Sequence, residues 1–88
     1  MKSKASTKFW KFYYRLPLDL QKQARKSYQL WKVNPYHPGL HFKKVSDNEP
    51  IYSVRVSDNY RALGYLVEKD TIVWFWIGDH KEYERLLK

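Results

Sequence analysis

Apolar residues recur at helical spacing through the first third of the chain, in two runs separated by a proline. The first run has four apolar positions on one helical face, namely Phe9, Phe12, Tyr13 and Leu16. The second run lies between Pro17 and Asn34-Pro35, and its stripe is Leu20, Ala24, Tyr28 and Trp31, widened by Leu30 and Val33. Because proline is tolerated in the first turn of a helix but not in its interior, the sequence predicts two helices, the first capped by Ser6 or Thr7. These helices form an N-terminal hairpin.

Strand patterns fill most of the remaining sequence. Alternation of apolar and polar residues predicts strands over 40–45, 52–56 and 60–67. The segment 71–77 is apolar at nearly every position, which is typical of a central strand covered on both faces, and Gly78 is expected to end it. Asp79 and Glu82 resemble a capping box that opens a short helix, His80–Leu87.

This order predicts an α+β fold in a single domain over residues 1–88. The N-terminal helical hairpin packs on one face of an antiparallel sheet of about four strands, and a short helix follows at the C-terminus. The four tryptophans lie in or beside apolar segments and are expected in the core, namely Trp10, Trp31, Trp74 and Trp76.

One predicted hairpin, over residues 54–62, is the most informative segment. Ser57-Asp58-Asn59 suits a three-residue loop in which Asn59 takes the left-handed conformation. Val56 would then pair with Tyr60.

The same register places Arg55 directly opposite Arg61 on one face of the sheet. Like charges facing each other across two strands are destabilising. Such a pair therefore favours an anion between the guanidinium groups, and arginine forks match phosphate oxygens two at a time. Two solvated surface arginines, or a loop of different length, are the alternative.

Composition excludes several classes of site. The 88 residues include no cysteine, so disulfides and thiolate metal sites are excluded, and the three histidines lack the spacing of zinc ligands. We expect no cofactor and no metal. No apolar run reaches the roughly 18–20 residues of a membrane span, and no signal peptide is recognisable. The sequence therefore predicts a cytoplasmic protein that has no membrane partner.

The formal net charge of +8 is unevenly distributed. Residues 1–44 hold eleven Lys or Arg and one acid, whereas residues 45–88 hold six Lys or Arg and eight acids. A basic half with interleaved aromatic residues is typical of a nucleic-acid binder. A dock for an acidic protein and a merely basic soluble domain are the alternatives.

The sheet face opposite the helices carries the candidate chemistry. Alternation places five polar residues there, namely His41, Lys43, Ser53, Arg55 and Arg61. His80 begins the last helix and Tyr83 follows on the same helical side, so both are expected near the arginines. RNA can be cleaved without metal when cations stabilise the phosphorane and a group titrating near neutral pH moves protons. The alternatives are that Tyr83 packs under its helix, that His80 helps cap it, and that Lys43 or Lys44 is an edge-strand solubility charge.

The ordered set of segments resembles the RelE/ParE superfamily of type II toxin–antitoxin toxins, in its RelE- and HigB-like branches. The segments that carry the resemblance are Leu40-His41-Phe42-Lys43-Lys44, Tyr52-Ser53-Val54-Arg55-Val56, Tyr60-Arg61-Ala62-Leu63 and Trp76-Ile77-Gly78-Asp79-His80-Lys81-Glu82-Tyr83. RelE-type members imply cleavage of mRNA in the ribosomal A site. ParE-like members share the fold but inhibit DNA gyrase without a catalytic set.

The resemblance implies roles for individual residues. Arg61 matches a strand arginine that contacts the scissile phosphate, Arg55 matches a basic strand position, and His80 falls where the family has Arg or His. Tyr83 lies near a C-terminal aromatic position and would position the substrate. Ser53 stands where RelE has a lysine proposed as general base, so His80, Lys43 or His41 would have to replace it.

The resemblance also implies partners. The expected partners are an acidic or amphipathic antitoxin, in a possible heterotetramer, together with mRNA and ribosomal RNA. Lys43, Lys44, His41 and Ser53 are the expected RNA contacts on the sheet. The alternatives to a ribosome-dependent endoribonuclease are a gyrase-binding toxin and a plain RNA- or partner-binding module.

Overall fold

The computed structural model describes residues 1–86, in which a five-stranded sheet carries two helices on one face. The strands are β1 (Lys2–Ala5), β2 (Lys43–Lys44), β3 (Ile51–Ser57), β4 (Tyr60–Val67) and β5 (Thr71–Asp79), and the helices are α1 (Thr7–Tyr13), α2 (Leu18–Val33) and α3 (His80–Leu86). The strand order is β1-β5-β4-β3-β2, and all neighbours are antiparallel except β1 and β5. The predicted α+β architecture is confirmed, with β1 as an additional parallel strand at one edge.

The helical hairpin begins and ends close to the predicted residues. The hydroxyl of Ser6 accepts a hydrogen bond from the backbone N–H of Phe9 at 3.1 Å and caps α1. Pro17 is the residue immediately before α2 rather than part of its first turn. Val33 does not extend the apolar stripe, since its side chain is 85% exposed. It lies two positions after the buried Trp31, and two residues are about 200° apart around a helix.

The core lies between the helical hairpin and the sheet. Trp31 of α2 and Trp74 of β5 are buried there and meet edge to face, with ring centroids 5.3 Å apart. Trp76 is also buried, but Trp10 is 44% exposed, so the prediction of a core position for Trp10 is wrong. A helix of seven residues buries one stripe, and in α1 the fully buried residue is Tyr13.

The predicted strand over 40–45 is mostly absent. Pro38–Leu40 is a turn of 3-10 helix, and only Lys43–Lys44 pairs with β3. His41 adopts a φ of 47°, a left-handed conformation that cannot continue an extended strand. The loss of strand pairing at His41 therefore has a local backbone cause.

β5 is longer than predicted, because it runs through Gly78 to Asp79. It lies between β1 and β4, whereas β4 is the central strand. The indole of Trp76 lies where a side chain at Gly78 would project, since a Cβ at that position would lie 2.5 Å from Trp76 Cζ2. The glycine thus gives the strand space to continue. The predicted end of the last helix at Leu87 lies outside the described residues.

None of the helices within residues 1–86 has the length and apolar character needed to cross a membrane.

Candidate functional site

The β3–β4 hairpin has the predicted arginine pair but a different turn. Arg55 lies opposite Arg61, as predicted. Ser57, not Val56, pairs with Tyr60, so the predicted three-residue loop is wrong and Val56 forms a bulge in β3. Asn59 does not have a positive φ. A bulge adds local right-handed twist, which in tight hairpins otherwise comes from left-handed turn residues.

An acidic residue of the same turn offsets the charge of Arg55. The Arg55 guanidinium forms an ion pair with the carboxylate of Asp58. The Arg55 side chain is 33% exposed and that of Asp58 is 84% exposed, so water reaches both partners. The chain therefore tolerates two facing arginines with an anion of its own, and an external ligand is not needed for the fold.

Arg61 holds the turn through backbone carbonyl groups. Its Nη1 donates to the carbonyl oxygens of Ser57 at 2.7 Å, Tyr60 at 3.0 Å and Asp58 at 3.4 Å. Nη1 carries only two of the five N–H donors of a guanidinium. Arg61 thus has a structural role in the hairpin, and its other nitrogen atoms do not take part in these three bonds.

His80 lies against the same turn. Its backbone N–H donates to the carbonyl oxygen of Asn59 at 2.6 Å, and Gly78, two residues earlier, is opposite Arg61. Its Nδ1 lies 3.3 Å from Glu84 Oε1, and its ring centroid is 5.5 Å from that of Tyr83. The turn over residues 57–60 is therefore in contact with the arginine side chains of β3 and β4 and with the backbone at the start of α3.

The first turn of α3 is capped as predicted. The carboxylate of Asp79 accepts a hydrogen bond from the backbone N–H of Glu82 at 2.9 Å. This cap fixes the direction of the helix that carries His80 and Tyr83. The His80 side chain remains 41% exposed.

The four residues expected to contact RNA do not share one surface. Lys43 lies opposite Ser53 and diagonal to Arg55. It is therefore on the face of the sheet that carries Arg55 and Arg61, which we call the arginine face. Ser53 is 2% exposed, so its hydroxyl is not on the surface as that expectation required. Lys44 lies opposite Tyr52, which packs against the core, and is therefore on the reverse face. His41 is off the sheet because of its left-handed backbone.

An aromatic pair on the arginine face was not identified from the sequence. The rings of Tyr65 and Phe75 lie 4.6 Å apart at an angle of 31°, and the Tyr65 hydroxyl donates to Glu49 Oε2 at 3.3 Å. Desolvation, followed by the charge of Glu49 and this hydrogen bond, raises the pKa of Tyr65, so its phenol stays neutral near pH 7. Strand alternation from Arg61 could have placed Tyr65 on this face, but a bulge at Phe75 conceals the position of its partner.

Comparison with solved structures shows which known proteins share the fold. A RelB–RelE antitoxin–toxin complex from Methanococcus jannaschii matches with a TM-score of 0.75 and 20% identity over 97% of this chain and 99% of that chain. A YoeB/ParE toxin from Agrobacterium tumefaciens matches with a TM-score of 0.69 and 14% identity over 91% and 99%. An archaeal RelE–RelB complex from Pyrococcus horikoshii OT3 gives 0.68 and 17% over 89% and 92%. The fold is that of RelE/ParE-type toxins.

The sequence itself defines the family. Residues 18–85 match the family model of the ParE-like toxin domain. The chain therefore belongs to this family, and it is a toxin of the RelE/ParE superfamily, as the resemblance predicted. No curated protein sequence matches the chain at a significant level.

Proposed function

We propose that this toxin acts in the cytoplasm as a metal-independent, ribosome-dependent mRNA endonuclease, and that it forms a single functional domain. The observation that supports the proposal is the position of Arg55, Arg61 and His80 around one hairpin turn. Cations and a titratable imidazole are the groups that cleavage of RNA by its own 2′-hydroxyl requires.

Each group has a role in this mechanism. The 2′-oxygen attacks the adjacent phosphorus, the bond to the 5′-oxygen breaks, and a 2′,3′-cyclic phosphate remains. Arg61 and Arg55 stabilise the phosphorane, and Tyr83 positions the substrate. Glu84 Oε1 lies 3.3 Å from Nδ1 of His80, so Nε2 is the ring nitrogen proposed to give or take a proton.

The structure reduces the number of residues that could serve as the second proton-transfer group. Ser53 is buried and His41 is off the sheet, so neither reaches the arginine face from the surface. Lys43 shares that face and is exposed. His80 and Lys43 are therefore the pair from which the acid and the base are drawn.

Substrate binding at Arg55 requires Asp58 to leave. The phosphate of RNA and the carboxylate of Asp58 compete for the same guanidinium. Because Asp58 is 84% exposed and lies in a turn, its displacement costs little. Arg61 can keep its carbonyl contacts through Nη1 while its other donors face the phosphate.

The basic helical hairpin is the proposed contact with ribosomal RNA. The exposed cations on or directly after its helices include Lys8, Lys11, Arg15, Lys22, Arg25 and Lys26. Lys8 and Arg15 lie over the ring of Phe12 at 6.0 and 5.6 Å, which fixes two of these charges against the surface.

The proposed regulator is an acidic or amphipathic antitoxin. Two of the similar structures are toxin–antitoxin complexes, which supports an antitoxin partner for this chain. We propose that it covers the arginine face or the groove beside the helices, in a heterotetramer. Light scattering of the co-purified complex gives the stoichiometry.

The test compares alanine variants induced in a bacterium while mRNA 5′ ends are mapped. Arg61→Ala and His80→Ala are expected to lower cleavage at least about 100-fold, because each removes phosphorane stabilisation or proton transfer. Lys69→Ala is the matched control, since it removes an exposed cation from the turn at the opposite end of β4. Folding of each variant is checked by its melting temperature, because Arg61 also holds the hairpin.

A gyrase-inhibiting toxin is the second candidate, and one observation favours it. Arg55 and Arg61 are both engaged within the hairpin, by Asp58 and by backbone carbonyls, so they have a structural role that needs no RNA. Growth arrest without new mRNA ends, together with inhibition of gyrase supercoiling that survives His80→Ala, would support this candidate. Binding without growth arrest would indicate a plain RNA- or partner-binding module.

A further inference from the structure

The arginine face carries a second group of side chains, at the end of β4 away from the hairpin turn. Tyr65 lies four residues after Arg61 on the same strand, so both side chains project from the same face. At about 3.3 Å per residue, the two positions are about 13 Å apart. The Arg61 guanidinium is directed toward the hairpin turn, away from Tyr65. A phosphate held by Arg61 therefore does not also contact Tyr65.

Tyr65 and Phe75 form an apolar surface that we call the aromatic platform. Their ring centroids lie 4.6 Å apart at an angle of 31°, and both residues are half-buried. Ile51 and Val73 lie directly opposite Tyr65 on the neighbouring strands and are also half-buried. Exposed aromatic rings of this kind stack the bases of single-stranded RNA, because every base has a π-face.

A carboxylate lies at the edge of the aromatic platform. Glu49 is exposed, and its Oε2 accepts a hydrogen bond from the Tyr65 hydroxyl at 3.3 Å. An ionised carboxylate has about four acceptor sites, so one bond from a phenol leaves room for further donors. Because its charge repels the phosphates of RNA, the groups that it can bind there are the N–H donors of a base.

Charge changes sign along the arginine face. Arg55 and Arg61 lie beside the hairpin turn, and Lys43 is diagonal to Arg55. Asp47 and Glu49 precede β3 at the other end of the sheet and are exposed. An RNA strand that follows this face would place a phosphate at the arginines and a base at the aromatic platform. Phosphate contacts position a nucleic acid, whereas base contacts provide its specificity.

We propose that Tyr65, Phe75 and Glu49 form a subsite that stacks and recognises one unpaired guanine of the bound RNA. The inference rests on the proposed function, because it concerns the RNA that Arg55 and Arg61 are proposed to hold. The Watson–Crick edge of guanine presents two neighbouring donors, N1–H and the 2-amino group, and one carboxylate can accept from both. The other three bases present a single donor group on that edge, so we expect them to bind less tightly.

The binding test uses the full chain and three uridine hexanucleotides whose fourth base is guanine, hypoxanthine or adenine. Every 2′-hydroxyl is methylated, so the RNA is not cleaved and the assay needs no ribosome. Hypoxanthine is guanine without its 2-amino group and isolates that one donor. Fluorescence anisotropy is expected to show the guanine hexanucleotide binding about tenfold more tightly than the other two.

A pair of acidic residues tests the role of the carboxylate. Glu49→Gln is expected to reduce the preference for guanine over hypoxanthine to below about threefold, because a neutral amide replaces the charged acceptor. Glu68→Gln is the matched control, since it removes an exposed acid from the turn after β4, at the same end of the sheet. It should retain the full preference. Both variants change the net charge equally, so a general gain in RNA affinity does not separate them.

Two substitutions at one position test stacking. Tyr65→Leu removes the ring and is expected to weaken all three hexanucleotides about fivefold or more. Tyr65→Phe keeps the ring and should not weaken the adenine hexanucleotide. Melting temperatures check the folding of both variants. Glu49 is exposed, so its variant remains informative if Tyr65→Leu fails to fold.

Several results would overturn the inference. These are equal affinities for guanine and hypoxanthine, a guanine preference that survives Glu49→Gln, and no binding of any hexanucleotide at millimolar protein. The nuclease proposal is tested separately by the mapped mRNA 5′ ends. Cleavage of mRNA without a guanine preference in binding would refute the subsite alone. A guanine preference without cleavage would support the subsite and refute the nuclease.

Discussion

At the scale of single residues, an acidic side chain of the same hairpin offsets the repulsion between Arg55 and Arg61. Two arginines face each other across β3 and β4, and the carboxylate that pairs with Arg55 belongs to Asp58, three residues later in the chain. The three-residue spacing of Arg55 and Asp58 can be read from the sequence. The bulge at Val56, which lies between them, cannot. The carboxylate of Asp58 therefore neutralises part of the charge of the arginine pair within the described structure.

Removing this carboxylate should therefore favour anion binding. Asp58→Asn is expected to lower the free energy of unfolding by less than about 1 kcal/mol, because the pair is largely exposed. At low salt it should raise affinity for RNA several-fold, since Arg55 no longer has an internal partner. Urea denaturation and RNA binding measure the two effects.

Asp47→Asn is the control, because it makes the same charge change in an exposed turn outside the hairpin. If both variants raise RNA affinity equally, net charge alone is responsible and the competition at Arg55 is disproved. A loss of RNA affinity in Asp58→Asn alone would show that Asp58 organises the site.

At the scale of elements, local signals predicted most of the fold. Pro17 and the periodic apolar residues located α2 to within one residue, because helix boundaries depend on nearby sequence. The pattern of apolar and polar residues did not predict β1, since Lys2–Ala5 has little strand pattern of its own and forms a strand by pairing with β5. β2 is shorter than predicted, because the alternation of apolar and polar residues does not reveal the left-handed backbone conformation of His41.

Some features of the candidate site could likewise be predicted from the sequence, and others could not. The facing of Arg55 and Arg61 was predictable because hairpin register follows from a short turn. The burial of Ser53 was not, since it depends on which neighbours cover the far face of the sheet. Alternation also could not reveal the stacking of Tyr65 on Phe75, because a bulge interrupts β5 there.

The packing of β4 on β5 leaves no room for a side chain at Gly64. A Cβ there would lie 2.5 Å from Ile72 Cγ2 and 2.9 Å from Trp74 Cε3, and Ile72 is fully buried. Gly64→Ala is therefore expected to lower the free energy of unfolding by about 1–3 kcal/mol. Urea denaturation monitored by tryptophan fluorescence measures the change.

Gly39→Ala is the matched control in the exposed 3-10 turn Pro38–Leu40, where the nearest atom would be His37 Nδ1 at 3.2 Å. A small effect there and a large one at Gly64 would confirm that close packing, rather than loss of glycine itself, is the cause. Equal effects would contradict this account of the β4–β5 contact.

At the scale of the whole molecule, positive charge is concentrated in the half that contains the helical hairpin. Residues 1–44 carry eleven of the seventeen Lys and Arg residues. If this hairpin contacts ribosomal RNA, binding should weaken as the salt concentration rises. The logarithm of the affinity should fall by about 0.7–0.9 for each tenfold increase in salt and each phosphate contact. The location of the charge, and not only its total, then determines affinity.

Lys26→Glu is expected to weaken ribosome binding about tenfold or more and to reduce its salt dependence. Lys69→Glu makes the same change in net charge in the turn between β4 and β5 and should have a smaller effect. Sedimentation with ribosomes at several salt concentrations measures both. Equal losses would contradict docking through the helices.

The parallel pairing of β1 with β5 has a consequence for how the toxin matures. Lys2 is opposite Thr71 and Ala5 is opposite Trp74, so the N-terminal edge of the sheet pairs with its last-made strand. Contacts between residues this far apart in sequence form slowly, because a long loop must first close. During translation α1 and α2 can assemble early, but β1 has no partner until β5 has emerged. The newborn chain therefore completes its sheet only after β5 has been synthesised.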